Sequence, residues 1–456
     1  MQVCVGRRKH PTRWFVCLTE AHMYVQHYYD EYNERRSIIP QYLEDAYNSI
    51  QRTLLNKSYS TFSITNLEYL ISENGRFRVF YDPNSDYGNI EWLAQLTADA
   101  YDAIDWYLCT SYSFPRPRVN SSGYYDITIS ATMTSSGLTS YVGGYSNIKL
   151  LQAYLVDFGE DYRKSEVLGV MIHEYMHAIL FEAGIMTNAE AICFHESMAR
   201  AAGIEYETAY ANWSGICGDI SFFIDNLCNT MGNLNNYEGE DRDRYKYGGA
   251  IFYVFMFEVY DEWNLLSEMV NNYSSNNSIF NNLNQTLLLH NRGTLTYAYE
   301  RFLAFAVAPD ELFELSPTNR INSNSGIVIN SWGTPSPICE ITIPNSSNTF
   351  SSDEAIVVPY MASNYIKIIA TNSTPVNVTI NINYVIPPSS SADAAGSCVA
   401  HNATSDTYSI STGVIYDNEL SYTYRMSSGG NDIVYIAIAN GGLSGNLEYT
   451  YTITLS

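Results

Sequence analysis

The chain has 456 residues, of which 46% are hydrophobic, enough for two or three domains with separate cores. Its 48 acidic and 24 basic side chains give a formal net charge of −24. This charge argues against binding to nucleic acid and to anionic membrane surfaces, both of which attract basic proteins. The longest apolar run, residues 248–257, is too short to span a bilayer, so we expect no transmembrane segment.

The composition predicts an extracellular or cell-surface location. The chain contains 40 tyrosines, and Asn, Ser and Thr take many positions where Lys and Glu are usual on a protein surface. Sequons between Asn56 and Asn402 allow N-glycosylation. The basic residues within 1–10 are followed by no continuous apolar segment, so a signal peptide is not recognisable.

The eight cysteines include no C-x-x-C pair, which argues against a zinc site built from cysteines. Outside the cell, Cys217 with Cys228 and Cys339 with Cys398 would form disulfides. The sequence leaves open the alternative that these residues are free, buried thiols.

The first part of the chain changes from helical to strand periodicity. Residues 14–56 have a helical pattern, and we assign residues 1–70 to an N-terminal helical segment. The sequence then predicts a strand at 75–82, a helix at 90–107 and a strand at 123–130. A loop rich in Ser and Gly follows at 135–146, and a further strand at 149–156.

An apolar helix predicted over residues 167–180 carries the motif His-Glu-x-x-His. Residues at i and i+4 share one helical face, so His173 and His177 can present two imidazoles to one metal ion. Glu174 is rotated by roughly 100° from His173 and can reach a water molecule at such a metal. Zinc suits imidazole ligands and keeps one position open in catalytic sites. The alternative is a buried helix whose two histidines are satisfied within the core.

A second helix, predicted over residues 189–200, offers a third ligand. Eighteen residues separate His177 from Glu196, and the neighbouring His195 is a rival ligand. Carboxylate and imidazole are both good zinc ligands, so chemistry alone does not decide between the two.

The rest of the chain divides into a helical and a β-rich part. Helical periodicity continues to about residue 313, which we interpret as a scaffold beneath the metal site. Residues 316–326 have the composition of a linker. Alternating runs separated by turn residues fill 327–456 and predict one β-sandwich of Ig-like or jelly-roll character.

The two ligand-bearing segments resemble those of gluzincin metallopeptidases. The segments are His173-Glu-Tyr-Met-His177 and Phe194-His-Glu196-Ser-Met-Ala199. In that family a helix returning antiparallel delivers a glutamate at this spacing, which favours Glu196 over His195. Over about residues 75–310 the chain is similar to secreted bacterial and archaeal proteins that also carry a β-sandwich. Weaker likenesses lie in the strand segments 75–81, 124–129 and 154–157.

The resemblance implies an α+β zincin-like catalytic domain over residues 71–315. Such a domain has a mixed sheet, a metal-binding helix and a helical C-terminal subdomain. The resemblance also implies Zn²⁺ held by His173, His177 and Glu196. Glu174 would then serve as general base and general acid toward a metal-activated water.

A tyrosine downstream of the third ligand stabilises the oxyanion in related enzymes. The resemblance therefore makes Tyr245 or Tyr247 the candidate oxyanion donor. The alternative for each, in so tyrosine-rich a chain, is a packing residue.

One position departs from the family pattern. Thermolysin-like enzymes carry an aspartate four residues after the third ligand, where it orients the first histidine, and this chain has Arg200 there. A partner for His173 must therefore come from elsewhere. Glu205 and Glu207 are the candidates.

The sequence thus predicts a zinc-dependent peptidase acting on protein or peptide substrates. An alternative of a different class is an extracellular structural or adhesive protein on the same scaffold, with weak or no catalysis. The intact Glu174 favours catalysis, because only the chemistry requires that carboxylate.

Overall fold

The computed structural model describes residues 67–308 and 335–456, together with two short paired strands, β1 (Gln2–Val3) and β2 (Arg13–Trp14). The residues not described within the two long ranges are 86–88, 132, 134, 156–160, 186–188, 207–213, 261–262, 344–348, 353, 371–374, 386–392, 406, 413–418 and 428–431. Within the predicted helical segment 1–70, the residues assigned to an element form strands, namely β1, β2 and the start of β3 (Glu68–Ile71), so the helical assignment is wrong there. The rest of the helices predicted in that segment and the predicted linker 316–326 lie outside the described residues.

A five-stranded mixed sheet forms the first part of the fold. Its strands are β3 (Glu68–Ile71), β4 (Phe77–Tyr81), β5 (Tyr125–Ser130), β6 (Gly137–Val142) and β7 (Tyr145–Leu151). The order is β3-β4-β5-β7-β6, in which β4, β5 and β7 are parallel and both edge strands are antiparallel to their neighbours. Alternating burial along β4 and β5 confirms the two strands predicted there.

Helices surround this sheet and continue beyond it. The α-helices of the described residues are α1 (Ile90–Asp105), α2 (Gln152–Leu155), α3 (Asp161–Glu182), α4 (Ala189–Tyr206), α5 (Ser214–Asp225), α6 (Gly239–Gly248), α7 (Ala250–Tyr260), α8 (Trp263–Asn271), α9 (Ile279–Leu289) and α10 (Leu295–Val307). A π-helical turn, Trp106–Ser111, extends α1, and a 3₁₀ turn, Leu234–Asn236, precedes α6. The helical region that the sequence predicts up to about residue 313 is thus helical in its described residues, which end at residue 308.

Edge strand β6 occupies much of the predicted loop 135–146, so that prediction is wrong. Strands β6 and β7 form an antiparallel hairpin whose turn is Gly143-Gly144, with φ of +64° and +86°. Two consecutive residues with positive φ are what a type I′ turn requires, and glycine adopts them without steric cost. The predicted strand 149–156 correspondingly starts earlier, at Tyr145, and gives way to α2 after Leu151.

Tyr175, inside the His-Glu-x-x-His motif, anchors α3 to the sheet. Its ring lies 5.8–6.0 Å, between centroids, from the rings of Phe77, Tyr101 and Tyr125. Its hydroxyl donates a 2.6 Å hydrogen bond to the buried carboxylate of Asp105. Because a buried tyrosine needs both apolar contact and a hydrogen-bond partner, these contacts fix the position of α3 over the sheet.

Helices α3 and α4 are antiparallel and in close contact. A Cβ atom on Gly203 would lie 3.3 Å from the carbonyl oxygen of Gly169. At the other end of the contact, the ring nitrogens of His177 and His195 are 3.2 Å apart. The residue number rises along α4 as it falls along α3, which confirms the antiparallel return of the second helix.

The C-terminal part is β-rich, as predicted, and consists of two facing sheets. Its strands are β8 (Cys339–Ile343), β9 (Thr349–Ser351), β10 (Ile356–Pro359), β11 (Ala362–Ala370), β12 (Val376–Val385), β13 (Ala394–Asn402), β14 (Thr407–Thr412), β15 (Glu419–Met426), β16 (Ile433–Asn440) and β17 (Asn446–Leu455). One sheet has the order β14-β13-β16-β11-β8 and the other β10-β17-β12-β15, with β9 also pairing with β17. Side chains from both sheets form one buried cluster between them.

The outer face of the first of these sheets packs on helix α10. The hydroxyl of Tyr365 donates a 3.0 Å hydrogen bond to the carbonyl of Leu303, and Thr296 donates one of 2.6 Å to Asp393. Gly441 touches the same helix, since a Cβ there would lie 2.6 Å from Cα of Thr296. Apolar residues of this sheet face therefore belong to the core of the helical part.

The predicted disulfide between Cys339 and Cys398 is wrong. The register places Cys339 opposite Ile366, Ile366 opposite Ile436, and Ile436 opposite Cys398. Three strand spacings of about 4.8 Å separate the two cysteines by about 14 Å, whereas a disulfide needs Cα atoms within about 7 Å. Both thiols are free. Cys228 is also a free, exposed thiol, so the predicted disulfide between Cys217 and Cys228 is wrong as well.

None of the helices that the structure describes has the length and apolarity needed to cross a bilayer. The apolar run 248–257 instead forms the end of α6 and most of α7, and side chains of α7 are buried in the core.

We predict that Gly441→Ala lowers the free energy of unfolding by about 1–3 kcal/mol, because the added methyl group forces the sheet away from α10. Chemical denaturation followed by tyrosine and tryptophan fluorescence measures the loss. The control is Asn446→Ala, at an exposed position of the same segment. Equal stability of the two variants would show that the sandwich does not depend on this contact.

Candidate metal centre

His173, His177 and Glu196 meet between α3 and α4. The Nε2 atoms of the two histidines are 3.0 Å apart, and Oε2 of Glu196 is 3.3 Å from the first and 3.6 Å from the second. His177 and Glu196 are fully buried, and the His173 side chain is 13% exposed. The three predicted ligands therefore form a buried group that could hold a metal ion, with its accessible side at His173.

The spacing of these atoms fits a small tetrahedral ion. Donors about 2.0–2.1 Å from a tetrahedral zinc ion lie about 3.3 Å from one another. The three observed separations, 3.0, 3.3 and 3.6 Å, surround that value. Oε2 of Glu196 is buried and accepts no hydrogen bond within the described part of the chain. A buried anionic oxygen of this kind, facing two imidazole nitrogens, is suited to a cation.

Lys246 supplies positive charge next to this group. Its side chain is fully buried, and Nζ lies 2.9 Å from Oδ1 of Asp243. Burial alone would raise the pKa of Glu196, but Lys246 and the two histidines hold that pKa well below its usual range. Glu196 is therefore ionised, as a metal ligand must be.

Edge strand β6 holds the side chain of Glu174. The hydroxyl of Thr139 lies 2.7 Å from Oε2 of Glu174 and 2.7 Å from the backbone oxygen of the same residue. Gly137, two residues earlier, leaves room for the carboxyl group, since a Cβ there would lie 2.6 Å from Cγ of Glu174. Burial raises the pKa of Glu174 to about 7 against the opposing effects of His177 and Thr139. Such a carboxyl group can exchange protons near neutral pH.

His195, the rival ligand, lies behind His177 and does not join the three donor atoms. Its Nδ1 is 3.2 Å from Nδ1 of His177, and its Nε2 is hydrogen-bonded to the carbonyl oxygen of Ile185. Burial, together with the neighbouring His177, lowers the pKa of His195 to about 3, so this imidazole is neutral. A sequence signal for the contact with Ile185 was Gly184, the glycine that ends α3. This glycine turns the chain so that the carbonyl group of Ile185 faces His195 on α4.

The structure brings one of the two predicted tyrosines to the site. The ring of Tyr247 is partly exposed and lies 6.1 Å, between centroids, from the ring of His173. Tyr245 is fully buried, stacks on Tyr237, and directs its hydroxyl to the carbonyl of Asn229 at 3.3 Å. Tyr245 therefore has the packing role that the sequence left open.

Arg200 occupies the position at which thermolysin-like enzymes carry an aspartate that orients the first histidine. The guanidinium of Arg200 lies 5.8 Å from the ring centre of Tyr247. Among the described residues, the hydrogen bonds of His173 involve only Nε2. Glu205 is buried near the end of α4, and Glu207 lies outside the described residues. His177, by contrast, has a partner at Nδ1 in His195.

No family model matches this chain, and no curated protein does. Solved structures give weak partial likenesses. The pre-peptidase C-terminal domain of a Bacillus anthracis collagenase is 12% identical, with 27% of this chain and 100% of that one covered at a TM-score of 0.16. The periplasmic g-type lysozyme inhibitor PliG of Aeromonas hydrophila is 5% identical, with 26% and 98% covered at 0.17. Tripeptidyl peptidase 2 is 14% identical, with 29% and 12% covered at 0.19. TM-scores this low support no conclusion about fold or activity.

We predict that Lys246→Met lowers the free energy of unfolding of the metal-free chain by about 3–5 kcal/mol, because it removes a fully buried ammonium group that pairs with Asp243 and acts on the buried Glu196. Urea denaturation measures the loss. The control is Lys367→Met, which removes an ion pair of similar length, 3.0 Å to Glu340, at a more exposed position. This control should cost about 0–1 kcal/mol. Equal losses of unfolding free energy in the two variants would show that the buried charge of Lys246 stabilises the fold no more than the more exposed charge of Lys367.

Proposed function

We propose that this protein is an extracellular or cell-surface zinc-dependent metallopeptidase of the gluzincin type. The observation that carries the proposal is the convergence of two imidazole nitrogens and a carboxylate oxygen beside a second, separately held carboxyl group. The first three atoms belong to His173, His177 and Glu196, and the separate carboxyl group belongs to Glu174. The location is supported by the low content of charged residues and the abundance of Tyr, Asn, Ser and Thr.

Zinc is the metal that this donor set favours. Two imidazoles and one carboxylate are three protein ligands, the number found in catalytic zinc sites, and the partly exposed His173 leaves one side accessible. Zinc bound there supplies Lewis acidity, which polarises a carbonyl group and lowers the pKa of water.

Glu174 performs the proton transfers in this proposal. Oε2 is occupied by the Thr139 hydroxyl, so Oε1, on the side of Gly137, is the atom that exchanges a proton with the reacting groups. Glu174 takes a proton from the attacking water and passes it to the leaving amine as the peptide bond breaks. A pKa of about 7 suits a group that must act first as base and then as acid.

The position of β6 supports an extended peptide as substrate. This strand is at the end of the sheet, pairs with β7 on one edge, and pairs with no other strand of the described residues. An extended peptide can add to such an edge through main-chain hydrogen bonds. Because Gly137 and Thr139 of β6 touch Glu174, a peptide bound there would lie close to the catalytic carboxyl group.

Tyr247 is the proposed donor to the developing oxyanion. Its ring lies beside His173, the exposed ligand, and the cationic groups of Lys246 and Arg200 lie 4.8 and 5.8 Å from its ring centre. Positive charge near a phenol strengthens its hydroxyl as a hydrogen-bond donor.

The alternative, a structural or adhesive protein on the same scaffold, accounts less well for β6. A purely structural role needs no carboxyl group at Glu174, and none of the features that accommodate it. Gly137 and Thr139 serve that side chain directly.

We predict that the native chain binds one zinc ion and hydrolyses casein or gelatin. Glu174→Gln should keep the zinc and lose activity by a factor of roughly 10²–10⁴, because the amide cannot accept the proton. Zinc content and hydrolysis are measured on the same samples. The control is Glu182→Gln, the same change on the same helix at a residue that instead pairs with Arg118. Full activity in Glu174→Gln would refute the assigned role, and absence of zinc from the native chain would refute the ligand assignment.

We also predict that Gly137→Ala keeps zinc but lowers kcat by roughly 10²-fold, because the new methyl group displaces the Glu174 side chain. Thr139→Ser, which keeps the hydroxyl, is the control and should stay near native activity. Steady-state kinetics with a fluorogenic peptide give kcat and KM separately. If Gly137→Ala left kcat unchanged, the position of Glu174 against β6 would not matter to the reaction.

A further inference from the structure

His195 is fully buried and is not one of the three residues whose donor atoms converge. Its ring instead contacts the ring of His177. The two Nδ1 atoms are 3.2 Å apart, the ring centroids 5.4 Å apart, and the ring planes 20° apart. The distance between the centroids exceeds the distance between the Nδ1 atoms by about the sum of the two ring radii. The two nitrogens therefore lie between the centroids, and the rings meet edge to edge. This is the geometry of an N–H···N hydrogen bond rather than of ring stacking.

The other nitrogen of His195 is held by the end of α3. Gly184 has φ of +77°, its N–H donates to Phe181, and the N–H of Ile185 donates to Leu180, each at 3.0 Å. This pair of bonds is a Schellman motif, which ends the helix at a fixed place. The Ile185 carbonyl that follows points at Nε2 of His195.

These contacts determine where the protons are. A carbonyl oxygen only accepts, so Nε2 of His195 carries a hydrogen. The neutral imidazole then has a bare Nδ1, which accepts from Nδ1–H of His177. His177 in turn has a bare Nε2, the atom that lies 3.0 Å from Nε2 of His173 and 3.6 Å from Oε2 of Glu196.

We infer that His195 is a positioning residue that fixes the tautomer of His177, so that the Nε2 lone pair of His177 faces the metal. The chain Ile185 carbonyl, His195, His177 performs the orienting task that a carboxylate performs in many metal sites. It does so without adding a second negative charge beside the buried Glu196. The inference rests on the proposed function only for the identity of the metal.

The position of His195 in the sequence explains how one helix serves two purposes. Consecutive residues on a helix point about 100° apart. Glu196 therefore reaches the donor group while His195, one residue earlier, reaches the back of His177. The dipeptide that the sequence presents as two rival ligands contains one ligand and one orienting group.

Two amide variants separate an orienting role from a packing role. His195→Asn places an amide oxygen near the position of Nδ1, where it can accept from His177. His195→Gln places the amide near the position of Nε2, where it can donate to Ile185 but leaves His177 without an acceptor. His195→Leu removes both contacts. Each purified chain is stripped of metal, and its zinc dissociation constant is measured by competition with a chromophoric chelator.

We expect the Asn variant to stay within about threefold of the native dissociation constant, and the Gln and Leu variants to bind zinc roughly 10–100-fold more weakly. The opposite ranking, with Gln near native and Asn weakened, would overturn the inference and leave His195 as a support for the end of α3. Equal affinities in all four chains would also overturn it. Thermal unfolding of the metal-free chains shows whether lost affinity reflects lost folding.

A direct measurement on the native chain does not depend on the variants folding. Long-range ¹H–¹⁵N NMR spectra distinguish protonated from bare ring nitrogens. We expect hydrogen on Nδ1 of His177 and on Nε2 of His195 in the metal-free chain. Hydrogen on Nε2 of His177 would overturn the inference. A native chain with the expected tautomers that nevertheless bound no zinc would refute the proposed function and leave the tautomer assignment standing.

Discussion

The close antiparallel contact of α3 and α4 is the constraint on which the site depends. Glycines at the contact, Gly169 and Gly203, let the two backbones approach, and the separation they allow sets the distance between the histidines of one helix and the glutamate of the other. Tyr175 fixes α3 over the sheet from the opposite side. The three donor atoms are therefore positioned by rigid elements, which is what a metal site of defined geometry requires.

Several polar groups buried near this contact are matched by a partner, whereas Oε2 of Glu196 accepts no hydrogen bond among the described residues. His195 is satisfied at both nitrogens, Thr139 bonds to Glu174, and Lys246 balances the charge of Asp243 and acts on Glu196. A buried charge or donor without a partner costs several kcal/mol, so the arrangement leaves little freedom for rotation of the side chains. The same contacts that prevent this cost also set the tautomer of His177 and the orientation of Glu174.

Much of the site was predictable because its spacing is local. The i, i+4 pair His173 and His177 depends on helix geometry alone, and the structure brings Glu196 to the same pair. The role of β6 was not predictable from composition, since a Ser/Gly-rich segment is compatible with both a loop and a hairpin. Its pairing with β7 and its contact with Glu174 arise from tertiary packing. For the same reason Tyr245 and Tyr247, two residues apart, were indistinguishable until the fold placed one in the core and one beside His173.

The docking of the β-sandwich on α10 has a consequence for what that region can bind. The face formed by β11, β13 and β16 is occupied by the helices, with Tyr365 and Gly441 in contact with α10. Any macromolecule recognised by the sandwich must use its remaining surfaces, such as the outer face of the sheet that contains β12 and β17. A ligand held on that outer face would be on the far side of the sandwich from the helices, so the region is better placed to tether the protein than to contact a molecule bound at the metal centre.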